Sequence, residues 1–95
     1  MRFEWDEAKS DATLEERGFD FEFASLIFDG LTLEVDDRRK DYGERRRVAI
    51  GVADGLYLTV VYTDRQSASG QVIRRIISAR RSSRHERKIF EKAIL

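Results

Sequence analysis

The Asp54-Gly55 pair constrains this chain more than any other feature. It separates two runs that alternate apolar and polar residues, Glu44–Ala53 and Leu56–Arg65. Asp-Gly supplies the two left-handed residues of a tight type I′ turn, so the runs are expected to form a hairpin. A two-residue turn pairs Ala53 with Leu56. The register then sets Ile50 against Thr59, Val48 against Val61 and Glu44 against Arg65. The last pair would join opposite charges at the open end of the hairpin. A polar bend, Gln66–Gln71, leads to a further strand, Val72–Arg80. Leu58, Val60, Val61, Ile73, Ile76 and Ile77 give these strands the β-branched, apolar content of buried sheet. Arg65, Arg74, Arg75, Arg80 and Arg81 place fixed positive charge at or near the strand ends. The sheet therefore reads as both core and working surface, with a polyanion as its ligand.

The rest of the chain adds helices before and after. Arg2–Asp6 alternates, with Phe3 and Trp5 on one side, and predicts a short strand. Asp6–Arg17 reads as a helix with Asp6 as N-cap and Gly18 as its stop. Ala8, Ala12 and Leu14 form its thin apolar face. Asp20–Asp29 reads as a second helix, apolar almost all round and so buried on most sides. Leu31–Arg38 alternates as a strand, with Leu31, Leu33 and Val35 inward and Thr32, Glu34 and Asp36 outward. Arg38–Gly43 is a charged loop. Ser83 and Glu86 have capping-box spacing and open a last helix, whose apolar stripe is Ile89, Phe90, Ala93 and Ile94. The expected order is β-α-α-β-β-β-β-α. That is an α+β fold: an antiparallel sheet with two N-terminal helices on one face and a C-terminal helix.

Length fits one domain, residues 1–95. The chain has no cysteine and one histidine, which removes disulfides and the usual zinc ligands. No apolar run approaches membrane-spanning length, so the expectation is a cytoplasmic protein without a membrane partner. The zero net charge conceals an asymmetry. Residues 1–37 carry twelve acids and three bases, whereas residues 38–95 carry fifteen bases and six acids. Of those fifteen, all but Lys40, Lys88 and Lys92 are arginine. Arginine's planar fork of donors suits phosphate. The same charges could instead neutralise each other across a compact fold.

No Gly-rich phosphate loop, H-E-x-x-H or G-x-S-x-G motif is present. Asp36 and Asp37, adjacent on a strand, would point to opposite faces and make a poor metal site. No metal or cofactor is expected. A basic sheet with scattered acids suits metal-independent RNA cleavage. There the 2′-hydroxyl loses a proton, charge builds on the phosphorus, and the leaving 5′-oxygen gains a proton. Arg45, Arg65 and Arg80 could stabilise the charge. Lys9, Glu44 or Tyr62 could move protons. His85 has a suitable ordinary pKa, but it lies in a first helical turn between Arg84 and Arg87. Arg17, Arg74, Arg75 and Arg81 are candidates for holding the rest of the RNA. If Leu56–Arg65 and Val72–Arg80 are adjacent, Arg65 and Arg80 lie too far apart for one phosphate unless pairing shifts or the protein dimerises.

The sequence resembles the BrnT family of toxins from bacterial type II toxin–antitoxin systems. Phe3–Lys9 (FEWDEAK) looks like the family's F-x-W-D-x-x-K opening. Gly18, Phe21 and Ala24 look like its H-G-x-x-F-x-x-A element. Phe28-Asp29, Tyr42-Gly43-Glu44-Arg45 and Ile50-Gly51 follow in order. Val60–Arg65 (VVYTDR) and Arg75–Arg81 (RIISARR) are the most specific pieces, and Glu86 falls where the family has a C-terminal acid. The resemblance implies a RelE-like fold, ribonuclease activity that blocks translation, and a partner antitoxin that also binds DNA. It directs attention to Lys9, Glu44, Arg45, Arg65 and Arg80. Thr13 stands where the family usually has Asn, and Glu16-Arg17 where it usually has Lys-His. The alternative reading is a binding module of the same fold that pairs with an antitoxin or nucleic acid without cleaving it. Homodimerisation is compatible with the sequence but not specified by it.

Overall fold

The computed structural model describes all 95 residues. The strands are β1 (Arg2–Trp5), β2 (Leu33–Asp36), β3 (Arg47–Ala53), β4 (Leu56–Gln66) and β5 (Val72–Arg81). The helices are α1 (Glu7–Arg17), α2 (Phe21–Ala24) and α3 (Arg84–Ile94), with a 3-10 turn at Ser25–Asp29. All strands join one sheet in the order β1-β5-β4-β3-β2.

The hairpin forms with its expected register: Ala53 faces Leu56, Ile50 faces Thr59 and Val48 faces Val61. Asp54 and Gly55 have φ of 48° and 79°, the left-handed pair that the turn requires. β5 runs antiparallel to β4, with a register shift between Val61 and Tyr62. The expectation of a purely antiparallel sheet is corrected by β1, which lies parallel to β5 with Arg2 opposite Ile73 and Trp5 opposite Ile76. Alternation within four residues fixes a strand's faces but not its neighbour or direction. Here α1 and α2 carry the chain across one face, from one sheet edge to the other.

That face holds the core. Phe19, Phe21, Ala24 and Ile27 pack on Ala49, Ala53, Leu58, Val60, Tyr62, Ile76 and Ala79. Gly51 permits the close approach: a Cβ there would stand 2.9 Å from the Ile27 Cβ. The Asp20–Asp29 helix is α-helical only to Ala24, then tightens into 3-10 form. This segment delivers Ile27 over Gly51 and Phe28 against Phe3 and Tyr62.

Two facial assignments reverse. In α1 the buried residues are Ser10 and Thr13, while Leu14 is exposed. Polar contacts dock this helix: Ser10 Oγ accepts from the Phe21 amide at 3.0 Å. Leu31, which precedes β2, and Val35 within it are exposed. Glu34 instead shares the helix-covered face with Ala49, its cross-strand partner. The small residues Ala49 and Gly51 leave room there, and Thr32, Arg47 and Tyr62 satisfy the carboxylate.

α3 covers part of the opposite face. Its capping box is complete, and Phe90 packs edge-on against Tyr57 at 5.7 Å. It lies over β3 and β2, leaving the neighbouring part of the sheet open. No helix is long and apolar enough to cross a membrane.

Candidate active site

The open part of the α3 face forms a cleft of about 300 Å³, lined among others by Arg39, Thr59, Val61, Ser78, Arg80 and Glu86. Arg80 reaches it from β5, where it stands opposite Thr59. Strand alternation puts both side chains on this face. Glu86 comes from the first turn of α3. Its two carboxylate oxygens accept from Arg80 Nη1 and Nη2 at 2.6 and 2.8 Å. It also accepts from the Ser83 amide at 2.8 Å, completing the cap. Arg80 chiefly, with the capping amide, holds the Glu86 carboxyl well below its ordinary range, at about 2. About half of the Arg80 side chain remains open to solvent.

Arg39 brings a second guanidinium to the cleft. Asp37, itself buried, holds it with two hydrogen bonds of 2.8 Å. The Arg39 charge opposes that of Arg80 across the cleft. Two fixed cations, each set by a carboxylate, thus face a space bordered by the Thr59 and Ser78 hydroxyls. The arrangement can bind a phosphodiester and stabilise charge developing on it. Nothing in the sequence distinguishes Arg39 within the charged loop. Glu86 stands out there as a helix cap and as the family's C-terminal acid, but not as the partner of Arg80.

The other sequence-derived candidates lie elsewhere. Arg65 shares the sheet face with Arg80 but lies six positions along β4 from Thr59. That is roughly 20 Å at ~3.3 Å per residue, so one chain cannot apply both to one phosphate. The expected Glu44–Arg65 pair is corrected. β3 begins only at Arg47, Glu44 stays in the preceding loop, and its carboxylate accepts from Arg46 Nε at 3.0 Å. Arg65 instead forms two hydrogen bonds to Glu4 on β1, at 2.9 and 3.0 Å, and Arg75 approaches the same carboxylate at 3.9 Å. Arg45 pairs with Asp36 at 3.1 Å. Lys9 is exposed on α1, across the sheet from the cleft.

Among the candidate RNA-holding cations, Arg17 donates to the Ala79 carbonyl at 2.7 Å. Arg74 lies over the Tyr62 ring at 4.0 Å and the Phe28 ring at 4.7 Å, and forms two 2.8 Å hydrogen bonds to Asp64. Arg81 is exposed at the end of β5, and His85 is exposed on α3. Tyr62, considered for proton transfer, is buried on the helix-covered face and donates its hydroxyl hydrogen to Glu34. Burial, with Glu34 nearby, pushes its phenol up to about 12.

Fold and cleft define a small α+β protein with an arginine-bearing sheet face. A family model described as "Ribonuclease toxin, BrnT, of type II toxin-antitoxin system" matches residues 5–86. The chain belongs to this family of ribonuclease toxins, whose members pair with an antitoxin. Comparison with curated proteins gives no match.

Proposed function

We propose that this protein is a metal-independent endoribonuclease that blocks translation, with the Arg80 cleft as its reacting centre. The observation that carries the proposal is Arg80 itself, held by Glu86 yet half open on the uncovered sheet face. The 2′-hydroxyl oxygen attacks the adjacent phosphorus, forming a 2′,3′-cyclic phosphate and releasing the 5′-oxygen. A base takes the 2′ proton and an acid supplies one to the leaving oxygen. Arg80, aided by Arg39, stabilises the extra charge on the phosphoryl oxygens. Lys9, Glu44, Arg45 and Arg65 act on the substrate away from this phosphate, with Arg17, Arg74, Arg75 and Arg81 adding positive field.

In this reading the chain works in the cytoplasm as one domain, residues 1–95, with a RelE-like relationship of fold. A DNA-binding antitoxin neutralises it by laying an acidic segment over Arg80. Their complex should weaken as salt rises. The test incubates purified protein with RNA in excess chelator. The parent should cleave, and Arg80→Ala should lose about 10²–10³ in rate. Cleavage by Arg80→Ala at the parental rate would remove the cleft from the mechanism.

A second reading, a binding module without catalysis, draws on two observations. Both cleft guanidinia are tied to carboxylates, and His85 does not line the cleft. Induction in a bacterium separates the two. Growth arrest with RNA fragmentation supports the enzyme, and normal growth at confirmed soluble expression supports the binding module.

A further inference from the structure

Behind the Arg80 cleft, at the Asp54-Gly55 end of the hairpin, lies a second concavity of about 140 Å³. Arg81, Arg87, Tyr57 and Ser82 line it, together with Gly55 and Leu56. Its cations differ from the others along the sheet. Arg74, Arg75 and Arg80 have carboxylate partners, whereas Arg81 and Arg87 form no ion pair. Arg87 nevertheless has a defined place. Its guanidinium lies 4.3 Å over the Tyr57 ring. That ring is fixed by Phe90 edge-on and by the Tyr57 hydroxyl, which donates to Glu91 at 3.1 Å. Ser82 is fixed as well: its amide donates to the Tyr57 carbonyl at 3.0 Å. Asp54 and Glu91 are the nearby acids, one in the turn and one occupied by Tyr57.

The two concavities adjoin. The Ser82 hydroxyl, in the second, shares a 2.8 Å hydrogen bond with the Thr59 hydroxyl, in the first. Arg80 and Arg81, consecutive on β5, project to opposite faces of the strand and serve one concavity each. A polymer with regularly spaced anions can engage both by passing round the end of β5 at Ser82. We infer that Arg81 and Arg87, with Tyr57 as platform, form a second phosphate-binding subsite that holds the RNA backbone beside the Arg80 cleft. The inference rests on the ribonuclease reading and adds the path of the substrate. A guanidinium stacked on an aromatic ring has lost mobility before binding and keeps its edge donors free, which favours a phosphate over water.

The test measures binding of a fluorescein-labelled single-stranded 12-nucleotide RNA by polarisation across a salt series. Compared are the parent, Arg81→Gln/Arg87→Gln, and Arg2→Gln/Lys92→Gln, which loses the same charge elsewhere. All must melt as folded proteins. Loss of two phosphate contacts should reduce the log–log salt slope by about 1.4, at ~0.7 per contact on a single strand. Affinity should fall about tenfold or more for the Arg81/Arg87 variant and much less for the charge control. A parent that binds no RNA overturns the ribonuclease reading itself. A parent that binds, with an Arg81/Arg87 variant matching either it or the charge control in affinity and slope, overturns the subsite alone. Dependence on Arg81 and Arg87 for a poly-glutamate peptide but not for RNA would also overturn it, assigning the concavity to an acidic protein partner.

Discussion

Glu86 joins the cap of α3 to the orientation of Arg80: one carboxylate accepts from the Ser83 amide and from both terminal nitrogens of Arg80. A single residue therefore couples helix stability to cleft geometry.

That coupling predicts a pH dependence. The Glu86 carboxyl is depressed from 4.5 to about 2 in the folded chain. A depressed acid stabilises the fold above its unfolded pKa, and the contribution is lost as pH falls through the folded one. The window is thus pH 4.5 down to 2. The shift alone would correspond to ~3 kcal/mol, but Arg80 is half exposed, and screening reduces this to about 1–2 kcal/mol. Glu86→Gln should lower the melting temperature at pH 7 by roughly 4–16 °C and flatten stability within that window. Thermal melts from pH 7 to 2 check this, and equal acid sensitivity in parent and variant would refute it.

Gly51 predicts a steric limit. Its missing Cβ would stand 2.9 Å from the Ile27 Cβ and 3.2 Å from a Thr32 methyl, in a fully packed layer. Gly51→Ala should cost about 1–3 kcal/mol through overpacking, despite alanine's preference for ordered backbone. Urea unfolding measures it. An unchanged midpoint would mean that the 3-10 turn shifts freely.

Tyr62 predicts the alkaline limit. Its phenol, raised from 10.0 to about 12, keeps its proton in the hydrogen bond to Glu34. A group with raised pKa stabilises fully below its unfolded value and loses that contribution as pH rises through the folded one. Stability should therefore fall between pH 10 and 12, and Tyr62→Phe should blunt that fall while costing about 1–2 kcal/mol at pH 7. Denaturant midpoints at pH 7, 10 and 12 for both proteins provide the measurement. A steep loss retained in the variant would place its origin in another group.

Local chemistry made parts of this fold legible. Asp54-Gly55 determines its own turn and, by counting, the β3–β4 register. Ser83 and Glu86 announce a cap from three residues' spacing. Local pattern is silent where distant residues decide. β1 finds β5 through contacts some seventy residues away in the chain. The inward turn of Glu34 depends on room left by Ala49 and Gly51 and on partners from β3 and β4. Arg39 joins the cleft through Asp37, a placement that periodicity does not encode because a loop has none. Glu44 missed Arg65 because the regular strand starts three residues after it.

Arg65 and Arg80 give the last prediction, because the sequence treats them alike and the structure separates them. Both are strand arginines on one face with two-pronged carboxylate partners, Glu4 and Glu86. Only Arg80 lines the cleft, and Arg65 stands roughly 20 Å along β4. Arg80→Ala should therefore lower kcat, as expected for a donor acting in the transition state. Arg65→Ala should raise KM for long RNA and leave kcat near the parental value, since it would remove uniform binding. Its melting temperature should barely move, because an exposed pair contributes roughly 0.2–1 kcal/mol. Arg65→Lys retains the charge but loses the planar fork, so it should recover part of the KM. Steady-state kinetics on one long and one short RNA separate these effects, the short substrate being indifferent to Arg65. A hundredfold kcat loss in Arg65→Ala with unchanged KM would place Arg65 at the reacting phosphate. That outcome would require Arg65 from a second chain, and equimolar mixing of Arg65→Ala with Arg80→Ala should then restore activity. If Arg65→Ala keeps the parental kcat, Arg80 alone defines the reacting end of the sheet.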